Sequence, residues 1–494
     1  MLGKNNTRDV SALFAEDERR GLNFSLLEHG WLLDYSRLPL TADGYRGLQA
    51  LAAASGLDSA VRRLFGGEIV NPSEHRPALH MALRAEDPSA FPGADPDRVL
   101  AIDRSRFLDL AEDFHSGRSG LSDLVHIGIG GSDLGPRLVA DALDVDDGAA
   151  RVHWLSTVDA RRMGRLLRDL DPDTTGVVIA SKSFSTEETL LQAQALKAWL
   201  GDRFTAQAWA ATAKPESAKA FGVSGDHILG FPEWTGGRFS LWSSVGVSAA
   251  ARLGRDCYTD LLRGAAEADA CFAGDARDRS LALHVAVLMH FLRRDLDAPS
   301  LGVVAYDPRL ALLGDFLQQL VMESLGKGVD LDDAILTQST SPLIFGGRGT
   351  DLQHSIFQAL HQAPDSHPLI LVGALEPGHD RPDWHRVQLA HMLAQATAMA
   401  RGRHDDQASR LLPGNRPVMM LMAERLNARS LGFLLASFEH AVFALSVLWK
   451  INPFDQWGVE EGKRLAADFK TALQEHEPLD FETWLELSDR GMRS

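Results

Sequence analysis

The chain has 494 residues, 45% of them apolar and 24% charged, and a formal net charge of −17. That length exceeds one simple core and predicts two or three domains. The acidic balance excludes nucleic acid and anionic membrane surfaces as partners, because phosphate-bearing surfaces attract basic ones. An anionic substrate would therefore need a site that is a local exception to the overall field.

Residues 1 to about 90 read as helices with polar loops. Within them, the first forty are polar and mixed in charge, without the apolar stretch of a signal peptide. No uncharged apolar run anywhere approaches the roughly 20 residues that span a bilayer. The two cysteines, Cys257 and Cys271, form no CxxC pair, which fits reduced thiols in a cytoplasmic protein.

From Leu121 to about Ala250 strands alternate with helices. Leu124–Ile129 is a short apolar strand ending in Gly130-Gly131-Ser132-Asp133, with a helical pattern after it. Arg151–Leu155 is a second strand. Gly176–Ala180 is a third, followed by Ser181-Lys182-Ser183-Phe184-Ser185-Thr186 and another helix. This alternation predicts a parallel, doubly wound sheet. Ala282–Leu292 reads as a helix and Leu301–Ala305 as a strand. A well-marked helix follows, with Asp307 as N-cap, Pro308 at the first position, an apolar side of Leu310, Leu313, Leu317, Leu320 and Val321, and a stop near Gly326. Pro368–Leu375 is another strand, and the C-terminal third is mainly helical.

Several motifs could carry chemistry. Gly128-Ile129-Gly130-Gly131-Ser132 follows a strand and opens a helix, so a backbone with free N–H groups could approach an anion closely. It is neither a dinucleotide fingerprint nor a P-loop, and taken alone it could be a tight turn. In Ser181–Thr186, hydroxyls and Lys182 sit between strand and helix, a combination suited to a phosphomonoester. Ser185 and Glu188 there have the spacing of a capping box. Both motifs lie at carboxyl ends of strands, where open α/β sheets bind ligands.

Glu323 in Gln318-Gln319-Leu320-Val321-Met322-Glu323 falls in the last turn of its helix and is a candidate general base; a surface glutamate beside Lys327 is the bland alternative. Arg238, after Gly236-Gly237, could hold its charge against an oxyanion. His354 in Gln353-His354-Ser355, and Gln456 with Lys463 in Phe454–Lys463, are weaker candidates that could be structural. No H-E-x-x-H, paired CxxC or EF-hand loop is present to suggest a metal.

Taken together and in order, these motifs resemble the phosphoglucose isomerase family. The resemblance runs from Asn71–Arg76 and Leu79–Arg84, through GIGGSDLGP (128–136), SKSFSTEET (181–189), GGRFSLWS (236–243), QQLVMES (318–324) and QHS (353–355), to FDQWGVEEGK (454–463). It implies an α/β protein: two α/β/α sandwich domains of the sugar-isomerase type with helical N- and C-terminal extensions. The expected division is a helical segment at 1–90, sandwich domains at 91–255 and 256–451, and a C-terminal arm at 452–494.

The resemblance further implies reversible isomerisation of glucose 6-phosphate and fructose 6-phosphate, in glycolysis and gluconeogenesis, with neither metal nor cofactor. Residue by residue, it makes Glu323 the base that moves a proton between C1 and C2 and Arg238 the stabiliser of a cis-enediolate. His354, Lys463 and Gln456 become the set that opens and positions the sugar ring. Gly131, Ser132, Ser181, Lys182, Ser183, Thr186 and Gln319 become sugar- and phosphate-contacting residues. A homodimer is implied, with His354 reaching the site from the partner subunit. The chain departs from the family pattern at Ser183, Thr235, Phe239, Leu325, Asp351-Leu352 and Ser156–Asp159, while retaining every catalytic candidate. A sugar-phosphate-sensing module of the same fold, without chemistry, and an isomerase of another aldose–ketose phosphate, such as that of mannose or an amino sugar, are the competing expectations.

Overall fold

The computed structural model describes residues 8–94, 99–143, 150–475 and 479–493. The chain divides into two compact units, Met1–Pro453 and Phe454–Ser494. The first unit contains both sheets.

The N-terminal segment, expected to be helices with polar loops, contains a hairpin, β1 (Ser25–Glu28) and β2 (Trp31–Arg37). Its turn residues His29 and Gly30 have φ of 44° and 76°, the left-handed pair that matches the twist of a two-residue hairpin. Trp31, Leu33 and Tyr35 alternate inward along β2.

The first sheet is built from β3 (Asp123–Ile127), β4 (Arg151–Leu155), β5 (Thr175–Ala180), β6 (Ala208–Thr212) and β7 (Ile228–Gly230). Its order is β4-β3-β5-β6-β7 and every pairing is parallel. β3 and β5 are buried along their whole length, as strands covered on both faces are, so their interior positions are mostly apolar and the polar exception His126 is hydrogen-bonded. On one face Val125, Ile127, Val177 and Ile179 pack with Ala193, Leu196 and Leu200 of the helix Glu187–Leu200. On the other face His126 Nδ1 meets Ser248 Oγ of the helix Val247–Leu253 at 2.8 Å.

The second sheet adds β8 (Ser300–Ala305), β9 (Leu343–Arg348), β10 (Leu369–Ala374) and β11 (Val418–Ala423), in the order β1-β2-β11-β10-β8-β9. β11, β10, β8 and β9 run parallel, and the N-terminal hairpin joins antiparallel on β11. The helix Leu313–Leu325 lies against β9 through glycines: a Cβ on Gly314 would stand 3.1 Å from Gly346 Cα. Gln318 Nε2 donates to Ile344 O at 2.9 Å, fixing the helix's rotation. Asp307 does cap the start, accepting from Arg309 N at 3.1 Å, but the first turn is a 3₁₀ turn, Pro308–Leu310. The α-helix begins only at Leu313 and ends against Gly326.

The helix Ala428–Trp449 is apolar and long enough to cross a membrane, with mean hydropathy 1.8, yet it is buried in the protein. It packs on the helices Arg255–Ala273 and Leu281–His290, and its one acidic residue, Glu439, is ion-paired with Arg84.

Candidate active site

In the first sheet the chain passes from β3 outward to β4, then returns to β5 on the other side of β3. The crevice beyond the carboxyl ends of β3 and β5 is therefore a topological switch point, where ligands bind in open α/β sheets. The glycine turn after β3 and the serine loop after β5 both lie there.

The glycine turn is set by close approach. Gly130 has φ +57°, and a Cβ on it would stand 2.9 Å from Gln319 Nε2. A Cβ on Gly131 would overlap the Gly237 carbonyl and lie 2.8 Å from Arg238 N. Ser240 Oγ donates to Gly237 O at 2.7 Å and to Gly131 O at 3.3 Å. These contacts seat the Arg238 backbone directly on the turn that carries Ser132.

Arg238 is 3% exposed. Its Nε donates to Ser324 Oγ at 2.6 Å, its Nη1 to Glu323 Oε2 at 3.2 Å, and its Nη2 to Pro453 O. Gln319 Nε2 donates to the other carboxylate oxygen, Glu323 Oε1, at 3.3 Å. The Glu323 side chain keeps 29% exposure, so the carboxylate is aimed by two donors and remains reachable. A fixed guanidinium beside an accessible carboxylate can stabilise an oxyanion while the carboxylate takes up a proton.

The serine loop differs from its sequence reading. The expected capping box between Ser185 and Glu188 does not form. The helix starts at Glu187, one residue later than that box requires, and its N-cap Thr186 makes no side-chain cap. Thr186 Oγ1 instead pairs with Ser181 Oγ at 3.3 Å, and Ser185 Oγ donates to Ser183 Oγ at 2.8 Å. Phe184, buried, holds φ +48°, a left-handed backbone that costs energy for a bulky residue and is typical of ligand-gripping loops. The half-buried Lys182 ammonium is pulled down to about 8 by burial and by the Arg76 guanidinium, with Arg238 adding to the effect; Glu74 and Glu233 oppose it. Arg76 and Arg238 thus share one field with Lys182, a cationic exception in an acidic protein.

Arg76 was quoted in the sequence without a role. It donates to Glu233 O at 2.8 Å and pairs with Glu74 at 2.5 Å. Ser324 was missed too; only its place beside Glu323 in the motif could have signalled it.

His354 is exposed at the C-cap of the short helix Gly349–Gln353. Gln456 and Lys463 belong to the second unit: Gln456 stands at the N-cap position of the turn Trp457–Val459, and Lys463 Nζ pairs with Glu460 at 2.8 Å on the helix Glu460–Gln474.

The phosphoglucose isomerase family model matches residues 34–483, a span that holds every motif named above. The chain belongs to the phosphoglucose isomerase family. It is 42% identical over 467 residues to a glucose-6-phosphate isomerase of Stenotrophomonas maltophilia (strain R551-3), covering 94% of this chain and 92% of the relative. A glucose-6-phosphate isomerase of Xanthomonas campestris pv. campestris (strain B100) is 40% identical with the same coverage. The crystal structure of a glucose-6-phosphate isomerase from Chlamydia trachomatis D/UW-3/Cx matches with a TM-score of 0.86 at 28% identity, over 99% of this chain and 97% of that one. The expected α/β class, with parallel sheets and many helices, is the family's.

Proposed function

We propose that the chain interconverts glucose 6-phosphate and fructose 6-phosphate through an open-chain sugar and a cis-enediolate. The observation that carries this reading is the Arg238 guanidinium held 3.2 Å from Glu323, on a backbone seated against the glycine turn. The Glu323 carboxylate takes a proton from the carbon next to the carbonyl and returns it to the neighbouring carbon. Negative charge gathers on oxygen during that step, and a pre-placed cation lowers its energy without reorganisation. Lys182, Ser181, Ser183 and Thr186 grip the phosphate, with Gly131, Ser132 and Gln319 along the sugar. Binding energy far from the reacting carbons then orients them.

Ring opening is assigned to His354, Lys463 and Gln456 on their motif matches, with His354 supplied by the partner subunit of a homodimer. The same reading places the protein in the cytoplasm, in glycolysis and gluconeogenesis, and divides the larger unit into sandwich domains near residue 255. A sensing module would have no use for an accessible carboxylate clamped to a guanidinium, and no observation favours that alternative.

The test is a coupled assay of glucose 6-phosphate formation from fructose 6-phosphate. Glu323→Gln keeps the side chain's shape, so it should retain sugar-phosphate binding while losing turnover by roughly 10²- to 10⁴-fold, the range of a general base. Near-normal turnover in that variant would overturn the assignment.

A further inference from the structure

Behind the Arg238 segment lies a buried cluster of charge that the chemistry above does not use. Arg84, 2% exposed, donates from Nε to Asp269 Oδ2 at 2.9 Å and from Nη2 to Asp269 Oδ1 at 2.6 Å. Its Nη1 donates to Glu439 Oε2. Glu439, 1% exposed, accepts on its other oxygen from Trp242 Nε1 at 2.8 Å, and the Arg84 guanidinium lies over the Trp242 ring at 4.7 Å. His440 Nε2 meets Asp269 Oδ1 at 2.7 Å. Three residues before Trp242, the Phe239 ring stacks on His80 at 4.6 Å. Between them, Leu241 O accepts from Tyr258 OH at 2.6 Å.

A buried ion cluster is weak as a source of stability, because apolar residues of the same volume often do as well or better. What such a cluster fixes well is geometry, since each partner has few alternative arrangements once water is excluded. Here the fixed object is the short segment that bears Arg238 and continues to Trp242.

We infer that this cluster is the positioning device for Arg238: Arg84, through Glu439 and Trp242, and His80, through Phe239, hold the backbone that presents the guanidinium to Glu323. Arg84, Glu439, His80 and Trp242 are positioning residues in this account. The inference rests on the isomerase reading for its kinetic arm only.

The experiment uses the full chain carrying Trp242→Phe or Glu439→Gln, assayed with fructose 6-phosphate well below each variant's melting temperature. Trp242→Phe keeps an aromatic ring beneath Arg84 while removing the indole N–H and part of the ring's volume, and it serves if Glu439→Gln does not fold. The expected result is a fall in kcat of roughly 10- to 100-fold with KM within about twofold, since misplacing a catalytic group by ~1 Å carries losses of that order. A crystal structure of the variant should show Arg238 displaced from Glu323. Unchanged kcat with a lower Tm, a loss confined to KM, or an Arg238 left in place would overturn it. If the unmodified protein shows no turnover, the isomerase reading fails, and the crystallographic comparison alone decides the positioning role.

Discussion

Gly131 and Gly237 meet backbone to backbone, with no room for a methyl group on the first: a Cβ there would overlap the Gly237 carbonyl. A Cβ on Gly237 itself would meet nothing within 4 Å. The two glycines, drawn from motifs more than a hundred residues apart, are therefore not equivalent.

Gly131→Ala should destabilise by about 1–3 kcal/mol, the usual cost of overpacking, and move Arg238. Gly237→Ala should leave the melting temperature nearly unchanged. Thermal melts of the two variants check this; equal melting temperatures would show that the contact yields without strain.

Arg238→Lys keeps the charge and loses the fork that reaches Ser324, Glu323 and Pro453 O at once. The expected loss in kcat is about 10²- to 10³-fold, as for removal of one oxyanion donor. Steady-state kinetics decide it, and a Lys variant within threefold of normal would deny the fork any importance.

Lys182 sits at about 8, below its usual value, through burial first and the neighbouring guanidiniums second. In the free enzyme its charge is therefore present below pH 8 and lost as pH rises through it. The profile of kcat/KM should fall above pH 8 through a rising KM, with kcat holding. Lys182→Arg, which keeps its proton, should flatten that limb, and Lys182→Ala should raise KM throughout. An alkaline limb unchanged in Lys182→Arg would assign it to another group.

Burial pushes the Glu439 carboxyl up to about 7, although Arg84 and Trp242 pull the other way. Asp269, with the two-pronged contact to Arg84 and His440 beside it, is held well below its usual range, and burial holds His80 and His440 down. A carboxyl raised on folding favours the fold fully below its unfolded value, and that contribution is lost as pH rises through the folded one. Between pH 5 and 8 the stability of the unmodified protein should therefore decline relative to Glu439→Gln. Asp269 acts in the opposite sense, but only in strong acid. Urea melts across that range check the slope; parallel curves for the two proteins would reject it.

The parallel strands were readable in the sequence where β-branched residues run together, as in β5, or recur within a short apolar stretch, as Val125 and Ile127 do in β3, and so were the glycine and serine turns at their ends. β6 was not readable: its Ala-Trp-Ala-Ala-Thr segment favours helix locally, and only pairing with β5 and β7 on either side overrides that preference. β9 hides behind a glycine pair whose purpose, close approach to Gly314, appears only in three dimensions. The β1–β2 turn uses His29-Gly30 rather than the usual Asn-Gly signal. Within the site, Glu323 and Arg238 were legible as motif residues. Gly131 and Gln319 were legible in the same way, but Ser324 and the Arg84–Glu439 pair were not, because they act on the Arg238 segment across long stretches of chain.

The N-terminal hairpin completes the second sheet by pairing β2 with β11, so residues 31–37 find their partners at 418–423. Val10 N likewise donates to Asn415 Oδ1 at 3.0 Å. During synthesis the opening strands must wait until almost the whole polypeptide has left the ribosome. The first sheet, contained between residues 123 and 230, can assemble long before. Nascent chains should thus carry an ordered middle and an unsettled beginning, and a truncation just short of β11 would strand that beginning with an unpaired edge prone to aggregation.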